Sequence, residues 1–146
     1  MPPAEKLRHV IRYMLAQVLD DRRPAWHARL MFHELAEPTQ ACEDIVEGFI
    51  RPRAKRLYQV LTEMLPPGTS RVDHHLIAFS ILGQCRFYFM RNPFAVRLVG
   101  EDEYATYDID RLTEHICRFT LAALGYARPF CSDQQPRHSN YGVAQP

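Results

Sequence analysis

The chain has 146 residues, 47% of them hydrophobic, which suits one domain with its own core and excludes general disorder. Its formal net charge is +1, with 18 Lys and Arg dispersed among 17 Asp and Glu, so no basic face for gripping nucleic acid is expected. The longest apolar stretch, residues 76–83, contains Ser80 and falls far short of the ~20 residues that span a bilayer, so no membrane partner is expected.

Hydrophobic spacing predicts an all-α helical bundle of about five main helices. The first covers residues 3–20, where Leu7, Val10, Ile11, Met14, Leu15, Val18 and Leu19 form one stripe at helical spacing. The second covers 24–36, starting at Pro24, with Trp26, Leu30, His33 and Leu35 expected to point mostly inward. The third covers 39–65 and is capped by Thr39. It contains Pro52, which removes one helical hydrogen bond and pushes on the carbonyl of Gly48, so a kink or break is expected near Phe49–Pro52. Pro66, Pro67 and Gly68 end it.

The fourth helix, 71–91, is apolar almost all round and is therefore expected to be covered on several sides. A short helical piece at 94–99 and a loop at 100–107 follow. The fifth helix, 108–124, stops at Gly125. These elements are expected to make one helical domain, 1–125. Residues 126–146 lack periodicity, are dense in Pro, Gln, Ser and Asn, and are expected to form a loose tail.

The four cysteines, Cys42, Cys85, Cys117 and Cys131, show no C-x-x-C pairing, and the N-terminus has no apolar signal core. Both features predict a reducing, cytoplasmic setting. No two histidines lie three or four residues apart on one helix, so no metal site is expected. No nucleophile elbow and no glycine-rich phosphate loop occurs, so neither catalytic residues nor a cofactor is expected, and the chain does not read as an enzyme.

A cavity for a small molecule is the stronger expectation. Aromatic residues are abundant for a small bundle, and polar side chains fall among them. Trp26, Phe49 and Phe79 are the expected walls, with Arg29, His33, His75 and Arg86 as candidate polar contacts, in a space bounded by the first four helices and opened by the kink at Pro52. The run Arg51, Arg53, Lys55, Arg56 reads as a solvated helix face. The apolar fourth helix and the small residues Ala122, Ala123 and Gly125 predict a homodimer through 71–91 and 108–124, with Ile81 and Phe119 expected to face outward.

The segment PAWHARLMFHELAEPT at 24–39 resembles part of the C-terminal domain of TetR-family transcriptional regulators. IVEGFIRP at 45–52 and LGQCRFY at 82–88 are similar to the same subgroup. The resemblance covers about 4–125. It implies a homodimeric regulator whose helical C-terminal domain binds a small effector and dimerises through its last two long helices. It also implies a helix-turn-helix headpiece of roughly 45–50 residues ahead of the first helix. This chain starts too close to that helix to hold one, so operator DNA is an expected partner only where a headpiece is present, and these residues alone are expected to have no useful DNA affinity. The competing reading is a free-standing ligand-binding or interaction module.

Overall fold

The computed structural model of the chain describes residues 1–128. Among them the regular elements are all helical: α1 (Pro3–Val18), α2 (Ala25–Ala36), α3 (Gln40–Ile45), a π-helical turn (Val46–Ile50), α4 (Arg51–Met64), α5 (Arg71–Arg86), α6 (Pro93–Val99), α7 (Glu101–Tyr104) and α8 (Ile109–Ala123). The expected all-α class is the observed one. Most of the expected tail, 129–146, lies outside the described residues.

The core forms where the apolar stripes of α1, α4, α5 and α8 meet. Leu7, Ile11 and Leu15 of α1 are fully buried, as are Leu57 and Leu61 of α4 and Ile116 of α8. Ala78, Ile81 and Cys85 supply the inner face of α5. Ile81 is only 1% exposed, so it belongs to the core and not to the outward face expected for it. A helix that is apolar all round does not announce which side is inner, because successive residues turn by about 100°.

α1 lies at the centre and packs most closely on α8 and α4. Its exposed side is tied down by three ion pairs. Lys6 reaches Glu63 of α4 at 2.7 Å, Arg8 reaches Glu114 of α8 at 2.5 Å, and Arg12 pairs with Asp110 of α8. Such exposed pairs add little stability but set a direction.

Side-chain caps mark the starts of α3, α5, α6 and α8. The Ser70 hydroxyl accepts from the Asp73 amide at 3.0 Å, and Asp108 accepts from the Arg111 amide at 2.8 Å. Gly125, two residues past the end of α8, has a φ of +79° that favours glycine. The Tyr126 hydroxyl then donates to the Met64 carbonyl at 2.7 Å, fastening the end of α8 to the end of α4.

α5 stops at Arg86, short of the expected 91. Met90 and Arg91 adopt φ of +56° and +49°, and Asn92 turns the chain into α6 by accepting from the Phe94 amide at 3.0 Å. The expected loop at 100–107 contains α7, whose first turn carries Glu101, Asp102 and Glu103 against the positive end of the helix dipole.

The largest departure is in α2. Trp26, Leu30, His33 and Leu35 are exposed rather than inward. Ala28 and Glu34 are the buried residues, so the inner face is nearly free of large apolar side chains. No residue of α2 or α3 joins the main core cluster. α2 packs on α3, and Phe32 meets Phe89 at 5.8 Å.

A buried carboxylate holds that hairpin. Glu34 accepts from the Thr39 amide at 2.7 Å and from the Thr39 hydroxyl at 2.8 Å, while the same hydroxyl accepts from the Ala41 amide to cap α3. The Thr39 backbone amide is the main reason the Glu34 carboxyl lies below the usual carboxylate range. A lowered folded-state value means stability that is full above the usual range and lost as pH falls through the folded value. Glu34→Gln is therefore expected to lower the thermal midpoint at neutral pH. The gap to the parent should close as melts are repeated at increasingly acidic pH.

Candidate functional site

Two regions stand out once the core is assigned. The first is the outer face of α5 and α8. Val72, Leu76, Phe79, Gly83 and Phe87 recur at three- or four-residue spacing on the side of α5 opposite Ile81. Phe79 is 58% exposed, and Phe119 of α8 is 51% exposed. Ile116, Cys117 and Thr120 line the buried side of α8, so the helix shows the same division into a core side and an exposed side. Exposed apolar side chains gathered along one side of a helix are a candidate interaction surface.

Gly83 sits within that face. A glycine inside a helix costs about 0.5–1 kcal/mol relative to alanine. Nothing lies within 4 Å of where its Cβ would stand, so no neighbour in this chain requires the glycine. Two open clefts border the face. One, of about 310 Å³, is lined by Gly83, Gln84, Phe87, Tyr88, His115 and Ile116. The other, of about 540 Å³, runs along α8 past Tyr107, Arg111 and Arg118.

The second region is the π-helical turn. Arg51 N–H bonds back five residues to the Val46 carbonyl, which widens the helix by one residue immediately before Pro52. Pro52 has no N–H to offer the preceding turn. The Arg53 guanidinium donates to the Phe49 carbonyl at 2.5 Å. It also lies over the Phe49 ring, 3.6 Å from its centroid, and Arg23 approaches the same ring at 5.3 Å. The kink or break expected near Phe49–Pro52 takes the form of a change of hydrogen-bond register, the π-helical turn dividing α3 from α4.

The residues expected to form one cavity fall in separate places. His75 and Phe79 do meet, stacked at 6.0 Å, with Tyr58 edge-on to His75 at 5.4 Å. Phe49 sits at the π-helical turn. Arg86 lies 5.5 Å over the Phe89 ring. Trp26, at 59% exposure, Arg29 and His33 are on the solvent side of α2, His33 beside Glu34 at 3.4 Å. Arg53, expected on a solvated helix face, is instead half-buried against Phe49, and Arg23 was not among the expected site residues. Arg53 was legible, since it follows Phe49 by four residues and shares its face. Arg23 arrives from the α1–α2 connection, which no local spacing reveals.

The buried thiols are poor nucleophiles. Burial pushes Cys85 up to about 12 and Cys117 up to about 11, chiefly by desolvating the thiolate. Among the described residues no group of three or more His, Cys, Asp or Glu is placed to hold a metal ion, and no helix is long and apolar enough to cross a membrane.

No curated protein and no solved structure matches the chain. A family model does, over residues 3–124, and its description is the C-terminal domain of the HTH-type transcriptional dual regulator CecR. That span takes in α1 through α8, including the α5–α8 face and the π-helical turn. The chain therefore belongs to the family of CecR-type regulator C-terminal domains, a TetR-like family of transcriptional control.

Proposed function

We propose that this chain is the effector-sensing and dimerisation part of a TetR-type regulator working in the cytoplasm. Two copies pair through α5 and α8, and a small apolar or amphipathic ligand shifts the balance between two arrangements of α1. Headpieces joined ahead of α1 then match or miss half-sites about one DNA turn apart.

The observation that carries the reading is the exposed apolar row of Leu76, Phe79 and Phe87 beside Gly83, with Phe119 likewise exposed on α8. A surface glycine with no internal need for its missing side chain makes sense where another helix approaches closely. A second copy supplies that helix, because a two-fold axis sets the same patch against itself. α5 and α8 of both copies then form a four-helix interface.

Sedimentation equilibrium of the whole chain across a wide concentration range tests the pairing. A dimer is expected throughout the upper part of that range. A monomer at every concentration would leave the apolar face to a different partner and favour the free-standing interaction module.

A further inference from the structure

The charges around the π-helical turn do not balance. Asp20 is engaged by Arg22 at 2.9 Å, and Glu47 is engaged by Arg51 at 2.7 Å. Their neighbours Arg23 and Arg53 have only neutral partners. Arg23 donates to the Gln17 side-chain carbonyl, and Arg53 donates to the Phe49 main-chain carbonyl. Among the described residues, neither of the two forms an ion pair with a carboxylate.

Both cations converge on one ring, Phe49. The Arg53 Nε is buried and has no hydrogen-bond partner among the described residues. A buried donor on a charged group is costly to leave unmatched. With Nη1 committed to the Phe49 carbonyl, the edge left over is Nε with Nη2, the side-on edge that grips a carboxylate through two parallel bonds. Gly48 adds no side chain beside it, and nothing lies within 4 Å of its Cβ position. The turn itself has a helix register that proteins often place at functional sites.

We propose that Phe49, Arg23 and Arg53 form the receptor for the anionic end of the effector, which is an amphipathic carboxylate. Its apolar body lies along Phe49 and Gly48, and its two oxygens take the Nε–Nη2 edge of Arg53 with Arg23 as the second cation. Nε is closed to water in this structure, so binding opens the turn by a small displacement. The carboxylate thereby couples to the junction between the α2–α3 hairpin and α4. This assignment rests on the effector-sensing reading.

Calorimetric titration of the full chain with 2-naphthoate, its methyl ester and 2-naphthyl phosphate tests it. The parent is expected to bind 2-naphthoate about ten-fold more tightly than the ester, as a charge-assisted pair predicts. Arg53→Gln and Arg23→Gln should each reduce that preference toward unity, chiefly by weakening 2-naphthoate, with the circular dichroism spectrum unchanged. Arg53→Lys, which keeps the charge but not the fork, should retain only part of the preference. Equal affinity for acid and ester, a preference that survives Arg53→Gln, stronger binding of the phosphate than of the carboxylate, or no binding of any probe would each overturn the assignment. Ester binding without acid preference would leave effector sensing intact and remove only the carboxylate.

Discussion

Phe79→Glu is expected to convert a dimer into a folded monomer. Phe79 stands on the outer side of α5 at 58% exposure, level with the turn that carries Gly83. Burying a phenylalanine side chain is worth about 1.5–3 kcal/mol, and a two-fold interface counts it twice. Glutamate removes that gain and sets an unpaired carboxylate into the interface. Since 1.4 kcal/mol is a factor of ten, the dissociation constant should rise by roughly two to four orders of magnitude. The sedimentation profile should move to the monomer mass with helical content unchanged. Leu98→Glu supplies the control, because Leu98 is 82% exposed on α6 and lies outside the proposed interface. A dimer that tolerates Phe79→Glu as well as Leu98→Glu would place the interface elsewhere.

Two residues along the same helix, the outcome reverses. Ile81→Glu is expected to unfold the chain rather than dissociate it. Ile81 is 1% exposed within the cluster shared by α1, α4, α5 and α8. A carboxylate there meets no basic residue in the core cluster and must either be desolvated or drag water into the core. That penalty is comparable with the whole stability of a small domain, about 5–15 kcal/mol. Ile81→Ala keeps the experiment readable, with an expected loss of about 2–5 kcal/mol from transfer and cavity terms. Urea unfolding followed by circular dichroism measures both. A folded Ile81→Glu protein would mean that α5 is rotated about its axis relative to the face assignment given above.

The contrast between Phe79 and Ile81 shows where sequence reading stops. α1 was legible because its apolar and charged residues separate cleanly, and the structure buries Leu7, Ile11, Met14 and Leu15 as that stripe requires. The break before Pro52 was legible because proline lacks a donor whatever surrounds it. α5 has apolar residues on every side, so its existence was plain and its orientation was not. α2 misled for a different reason. Its large side chains, Trp26 and Leu35 among them, face outward, while the small Ala28 and the carboxylate of Glu34 face inward. Burial of Glu34 is possible because Thr39 satisfies it, a tertiary arrangement that hydrophobic periodicity ignores. The meeting of Arg23 with Phe49 joins residues 26 positions apart and depends on the path of the whole α2–α3 hairpin.

The three ion pairs along α1 have a mechanical meaning. α1 has 16 residues, so it is a rod of about 24 Å. Arg8 and Arg12 hold it to α8, while Lys6 holds its outer end to α4. The rod is therefore pinned to a proposed dimer helix by two points and to the helix beyond the π-helical turn by one. A tilt of about 5° around the inner end carries the outer end about 2 Å, set by the length of the helix. A headpiece attached there would swing by at least that much, in opposite directions on the two sides of a two-fold axis. Exchanging Lys6 or Glu63 for a neutral residue would remove the charged tie at the outer end and leave the buried Leu7, Ile11 and Leu15 to hold the rod.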